Sequence, residues 1–239
     1  MDPEQVNTEV LKGVSFNLRK GEILGIAGLM GSGRTELVTT LFGEYGKVTQ
    51  GSVKIEGRPI KIKSSRDAMQ HGISLVPEDR KRFGLVLIMS ILQNISLANL
   101  DQFSAWMRID GLAELNGAMQ FSKSLSIKAP SLQIPVDMLS GGNQQKVVIS
   151  KWLMSKPKVL IMDDPTRGID VGAKYEIYKL MNDLTEQGIS IIMISSELEE
   201  VLGMSDRVMV MSEGKSTSTL DIAEATQEKI MALATGVAA

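Results

Sequence analysis

Three short stretches of this chain hold residue types that could do chemistry together. Gly28-Leu29-Met30-Gly31-Ser32-Gly33-Arg34-Thr35 has the spacing of a phosphate-binding loop, except that Arg34 stands where a lysine is expected. Glycines let backbone N–H groups close around phosphate oxygens, the following helix points its positive end at them, and Thr35 can offer its hydroxyl to Mg²⁺. Arginine keeps the positive charge, but its planar fork is bulkier than an ammonium and prefers bidentate contacts. The same glycines would also serve an ordinary strand-to-helix turn, so the loop takes its meaning from the other two stretches.

The second stretch is Val159-Leu160-Ile161-Met162-Asp163-Asp164-Pro165-Thr166, an apolar strand ending in two carboxylates. Strand ends at the carboxyl edge of a parallel sheet present ligand-binding groups, and Asp163 there is suited to hold Mg²⁺. Asp164 is one methylene, about 1.5 Å, shorter than a glutamate would be. Losing general-base assistance would slow a hydrolysis by about 10² to 10⁴. A helix-capping turn before Pro165 is the alternative, but a buried strand ending in two carboxylates needs a counter-charge.

The third stretch, Leu139-Ser140-Gly141-Gly142-Asn143-Gln144-Gln145, puts small residues at the start of an expected helix, Asn143 to Met154. Such a start makes an exposed anion site. A serine cap with a glycine turn would use the same residues.

The elements that must position these groups follow from hydrophobic periodicity. Ile23 to Ala27 reads as a buried strand feeding the glycine loop, and Thr35 to Phe42 as the helix after it. Gly51 to Ile62 predicts two short strands turning at Glu56-Gly57-Arg58-Pro59, then a helix at Ser65 to Gln70 and a strand at Ile73 to Val76. From about Leu85 to Lys128 the pattern is helical, which predicts an inserted helical segment. Strands and helices then alternate: Val159 to Met162, Ala173 to Gln187, Ile189 to Ser195, Glu197 to Leu202 and Val208 to Met211. That order predicts a mainly parallel sheet flanked by helices, without internal repeat or low-complexity linker.

Bulk properties exclude several classes. A chain of 239 residues with 43% apolar content can bury one substantial core. A formal charge of -2 supplies no basic field for nucleic acid. The absence of cysteine rules out disulfides and thiolate metal sites. The acidic, polar opening Met1-Asp2-Pro3-Glu4-Gln5 does not fit a secretory signal, and apolar runs such as Ile189 to Ile194 are far too short to span a bilayer. The 15 methionines are scattered along apolar faces, where a flexible thioether serves as filler. The sole histidine, His71, beside Gly72, reads as a helix-end or surface residue.

The whole chain resembles the nucleotide-binding domain of ATP-binding cassette (ABC) transporters. More narrowly, Val76 to Lys81, Gly141 to Lys146, Asp164 to Lys174 and Ile194 to Glu197 resemble the carboxy-terminal cassette of bacterial monosaccharide importers for xylose, ribose, galactose or arabinose. The resemblance implies an α/β P-loop fold with a mainly parallel core, an antiparallel β edge and an inserted helical subdomain. The implied single domain, 1–239, has a RecA-like core at 1–84 and 158–239, and a helical signature subdomain at about 85–157. ATP and Mg²⁺ are the implied ligands, with Gly28, Leu29, Met30, Gly31, Ser32, Gly33, Arg34 and Thr35 at the phosphates and Thr35 with Asp163 at the metal.

By the same resemblance, Ser140, Gly141, Gly142 and Asn143 form the signature that reads a nucleotide held by an opposing subunit. Asp170 matches the D-loop at the dimer seam. Glu78 stands at the Q-loop position near the metal and the membrane subunit, Ser196 where a switch histidine would be, and Asp164 at the water-polarising carboxylate. Arg34, Glu78 and Ser196, with no aromatic residue in the first fifteen to stack on adenine, imply a degenerate ATP site; Asp164 is a further departure.

The implied partners are a first cassette or a second copy, permease subunits and, indirectly, a periplasmic or extracellular sugar-binding protein. The implied location is cytoplasmic, peripheral on the inner face of the membrane. The alternatives are an autonomous homodimeric ATPase, a soluble non-transport scaffold and a P-loop kinase; the scaffold would carry basic or coiled-coil extensions, which the sequence lacks, and the kinase design has no use for the signature.

Overall fold

The computed structural model describes residues 10–105 and 108–236. Met1 to Gln5, read above as no secretory signal, lies outside them. The main sheet has six strands in the order β10-β9-β1-β8-β7-β4. Here β1 is Ile23–Gly28, β4 Ile73–Val76, β7 Val159–Asp163, β8 Ser190–Ile194, β9 Arg207–Ser212 and β10 Lys215–Asp221. Every pairing is parallel except β10 on β9, which supplies the antiparallel edge. Ile, Val, Leu and Met fill β4, β7 and β8 because both faces are covered, so these strands read as continuous apolar runs.

One face of the sheet packs Leu24, Ile26, Ile161 and Ile192 against Leu37, Val38 and Phe42, of or just after α1 (Arg34–Leu41), and Ala68 of α2 (Ser65–Gln70). The other face buries Leu160, Met162, Ile191 and Met193 with side chains of α5 (Gly141–Leu153), α6 (Val171–Glu186), α7 (Leu198–Met204) and α8 (Gln227–Thr235). Met162, Met181, Met193, Met209 and Met211 are wholly buried, which is the filler role expected of them. Trp152, on α5, packs against both clusters and meets Phe42 edge-on at 5.3 Å. His71 is the exposed C-terminal cap of α2. No helix among the described residues is long and apolar enough to cross a membrane.

Two local expectations are corrected. The hairpin of β2 (Val53–Ile55) and β3 (Arg58–Ile60) turns on Glu56 and Gly57 alone, both at positive φ, so Arg58 and Pro59 belong to the strand. The stretch from Leu85 to Lys128 is not helical throughout. After α3 (Ile91–Ser96) a 3₁₀ segment leads into a small hairpin, β5 (Ser104–Ala105) with β6 (Arg108–Ile109), before α4 (Gly111–Ser124). A two-residue strand is too short to leave a period in the sequence. The edge strand β10 and the helix α8 were not individually foreseen.

Candidate functional site

Because β1, β4, β7 and β8 run parallel, their carboxyl ends lie along one edge of the sheet, and that edge gathers Gly28, Glu78, Asp163 and Ser196. Gly28 leaves β1 where any Cβ would lie 2.5 Å from the Met211 carbonyl oxygen and 2.6 Å from Ser32 Oγ. Only glycine fits so close an approach. Gly31, at φ 79°, faces open space, and Gly33, at φ 94°, caps α1 in the left-handed conformation. No side chain caps that helix, so its first N–H groups stay available to an anion. Ser32 Oγ is buried among the loop atoms without a partner, a further polar atom suited to a phosphate oxygen. Leu29 and Met30 turn their side chains to solvent.

Arg34 reaches across this edge, and its Nη1 donates to the Ser195 carbonyl at 3.1 Å. The guanidinium is thereby tied to the end of β8. Asp163 is buried, and burial pushes its carboxyl up to about 7; Thr35 and Arg34 pull it down while Asp164 and Glu78 push it further up. An acidic edge short of positive charge suits a divalent cation. Thr35 and Asp163 together fit Mg²⁺, which takes one or two protein oxygens and completes its shell with water and phosphate. Among the described residues no cluster of three or more His, Asp or Glu forms a separate metal site.

Asp164 has a left-handed backbone, φ 44°, which a short polar side chain tolerates. Its amide donates to the Ile194 carbonyl at 2.9 Å, and its Oδ1 accepts the Ser196 amide at 2.6 Å. Ser196 is exposed and does not cap the next helix. That helix, α7, starts at Leu198 after Glu197, and it is the Ser195 hydroxyl that accepts the Glu197 amide, at 3.0 Å. The β8 end points Ser195 inward and Ser196 outward, which decides between the two neighbours.

Glu78 pairs with Arg167. Asp79 caps a π-helical turn, Arg80–Gly84, by accepting the Lys81 and Arg82 amides at 3.0 Å each. Arg80 donates to the carbonyls of Arg167, at 2.6 Å, and Gly168, at 2.9 Å.

Ser140 precedes α5 and is exposed, but its hydroxyl makes no capping bond. The serine-cap alternative is thus not realised: the hydroxyl accepts from Asn143 Nδ2 at 3.0 Å instead, and the first amides of α5 have no side-chain cap. Gly142 packs where a Cβ would come within 2.5 Å of the Ala173 Cβ, and Gly141 where one would come within 3.1 Å of the Gly168 carbonyl. Asn143 Oδ1 accepts the Lys128 amide at 2.8 Å. Asp170 is exposed and caps α6 by accepting the Ala173 amide at 2.9 Å. The structure therefore gathers Arg34, Thr35, Glu78, Asp163, Asp164 and Ser196 at one edge. Ser140 to Asn143 and Asp170 form a second surface, where Gly141 and Gly142 pack against Gly168 and Ala173 on either side of Asp170.

A hub absent from the sequence reading ties the two surfaces together. The Glu200 carboxylate accepts Thr166 Oγ1 (2.7 and 2.8 Å), Ser195 Oγ (2.7 Å), Lys174 Nζ (2.9 Å) and Tyr178 Oη (2.6 Å). Burial raises this carboxyl, but these hydrogen bonds outweigh it and hold the group below its ordinary value. Nothing in Glu197-Leu198-Glu199-Glu200 marks which glutamate turns inward; that depends on the start of α7.

A glycine-rich loop between a strand and a helix and a carboxylate-bearing strand end on one parallel sheet, with a second helix that no side chain caps, define a P-loop nucleotide-binding cassette. Comparison with known proteins makes this specific. The ABC transporter family model matches residues 11–167. A xylose import ATP-binding protein of Geobacillus kaustophilus is 56% identical over 98% of this chain. A ribose import ATP-binding protein of Clostridium perfringens is 54% identical over 96% of it.

Among solved structures, a nucleotide-free cassette from an ABC transporter superposes with a TM-score of 0.80 at 24% identity, covering 97% of this chain and 92% of that one. The cbiO1 protein of Clostridium perfringens, part of the ABC transporter complex cbiONQ, gives 0.75 at 27% identity over 93% and 86%. The chain belongs to the ABC transporter family. It spans about half, 46%, of the length of the sugar-import relatives just described.

Proposed function

We propose that this chain is the second ATP-binding cassette of a monosaccharide importer, for a pentose such as xylose, and that its signature serves an ATP held by a partner cassette. The observation that carries the reading is the Asp164 carboxylate: its Oδ1 accepts the Ser196 amide at 2.6 Å, while Ser140 stays exposed and the start of α5 uncapped by any side chain. The printed roles of the xylose and ribose import relatives support the sugar class. The chain's 46% share of their length supports a missing partner half.

In this reading the phosphate loop binds ATP with Ser32, the first amides of α1 and Arg34, and Thr35 with Asp163 holds Mg²⁺, which neutralises phosphate charge. Arg34, bonded to the Ser195 carbonyl, and Asp164, bonded to Ser196, orient the switch segment rather than the attacking water. Hydrolysis at this chain's own site is slow, and turnover belongs to the site completed by Ser140 to Asn143 on the partner's nucleotide. Asp170 lies at the seam. Coupling ATP binding and hydrolysis to sugar uptake then falls to permease subunits and a periplasmic or extracellular sugar-binding protein. A groove lined by Phe42, Pro77, Phe83 and Trp152 beside Glu78 suits a permease segment on the cytoplasmic face of the membrane.

The test is ATP turnover by the chain alone and by the chain paired with a first cassette. Turnover is expected to rise at least tenfold on pairing and to be indifferent to Asp164→Asn. Appreciable Mg²⁺-dependent hydrolysis by the chain alone, abolished by Asp164→Asn, would instead establish an autonomous homodimeric ATPase.

A further inference from the structure

We infer that Arg80 is a positioning residue that couples the groove at Pro77 and Phe83 to the D-loop backbone of Arg167 and Gly168. The inference rests on the reading above only in assigning that backbone to a partner's nucleotide. The geometry itself is local. The Arg80 fork lies against two successive carbonyls, Arg167 at 2.6 Å and Gly168 at 2.9 Å, which a planar guanidinium spans and a single ammonium does not. Gly168 sits at φ 65°, in the left-handed region open to glycine. A Cβ on Gly141 would lie 2.8 Å from Arg80 Nη2, so the same guanidinium also backs the signature.

No carboxylate takes part in this clamp. Arg80 Nε is buried without a partner, and burial pulls the guanidinium below its ordinary pKa. A half-desolvated cation hydrogen-bonded to neutral carbonyls, with the charge of Asp79 nearby offsetting part of its burial, fixes orientation rather than adding much stability.

The other end of the same π-helical turn is held as firmly. Lys151 of α5 donates to the Gly84 carbonyl, and Gly84 packs where a Cβ would lie 3.0 Å from Val148. Between these two anchors, Phe83 projects into the groove and is 60% exposed. A permease segment seated in the groove would bear on Phe83, and so on a five-residue turn whose first residue grips the D-loop. Glu78, one residue before the Asp79 cap, adds a second tie to the same loop through Arg167. Glu78-Asp79-Arg80-Lys81-Arg82 is a run of five charges, and the fork of Arg80 gives that run a direction.

The test uses the whole chain and reads backbone order by ¹⁵N relaxation. Arg80→Ala is expected to lower the order parameters of Gly168 and Ile169 from about 0.85 to below about 0.6, with the amides of β7 unchanged. Arg80→Lys should fall with it, and Lys81→Ala should match the native chain. Native order at Gly168 in Arg80→Ala overturns the inference.

A second measurement takes the two-cassette polypeptide with its permease and reads sugar-stimulated ATP turnover. Arg80→Ala should lower kcat at least tenfold while KM for ATP stays within twofold. An unchanged kcat would show that the clamp does not couple. A native complex that sugar fails to stimulate would defeat the importer reading instead, and the relaxation result would still decide the role of Arg80.

Discussion

The carboxylate of Asp164 accepts the backbone amide of Ser196 at 2.6 Å, so the residue after the end of β7 is bonded to the second residue after the end of β8. This one bond ties β7 to β8 beyond their last ladder pair, Asp163 with Ile194. A charged acceptor on a backbone amide contributes about 1.5 to 3 kcal/mol, and the left-handed backbone at Asp164 favours Asp or Asn over alanine.

Asp164→Ala is therefore expected to lower unfolding stability by about 2 to 4 kcal/mol, the lost bond and the backbone strain together. Asp164→Asn keeps an acceptor oxygen and the backbone preference, and should lose no more than about 1.5 kcal/mol. Urea denaturation of the three chains checks both values. Equal stability of Asp164→Ala and the native chain would mean that the bond contributes nothing.

Glu200 gives the fold an acid-sensitive joint. Its carboxyl is held below its ordinary value of 4.5, so it stabilises the fold fully above that value and loses the contribution as pH falls through the lowered one. Glu200→Gln leaves Lys174 with Glu197 as its remaining charged partner and forces the amide among three hydroxyl donors. A loss of about 2 to 4 kcal/mol is expected at pH 7. The gap between native and variant midpoints should narrow as pH drops below 4.5. A gap that is the same at pH 7 and pH 4 would place the carboxylate outside the folding linkage.

The parallel core was legible because β4, β7 and β8 are buried on both faces and run as uninterrupted apolar stretches. The strand, glycine turn and helix around Gly28 to Thr35 and the strand ending at Asp163 were legible as local structure because each demands particular residue types at fixed spacing. The Glu200 hub and the Arg80 clamp were not. Both join residues far apart in sequence, Thr166 to Glu200 and Arg80 to Arg167, and their local residues look like solvated charge. Hairpin β5–β6 escaped because two residues per strand leave no period, and Ser195 was overlooked beside Ser196 because only the end of β8 decides which hydroxyl turns inward.

The glycines divide by what surrounds them, and the division is measurable. Gly31→Ala meets nothing within 4 Å and carries only the strain of a positive φ, about 1 to 2 kcal/mol. Gly142→Ala has an ordinary helical backbone but drives its Cβ to 2.5 Å from the Cβ of Ala173, so α5 and α6 must part at their amino ends. Overpacking of that kind costs about 1 to 3 kcal/mol, and here it would displace the signature from Asp170. Two variants of similar stability should therefore differ in function. Gly31→Ala should weaken nucleotide binding by this chain, read as the fluorescence of a labelled ATP, whereas Gly142→Ala should leave that binding intact and abolish the gain in turnover on pairing with a first cassette. Loss of the chain's own nucleotide binding in Gly142→Ala would mean that the signature surface is not separate from the phosphate loop.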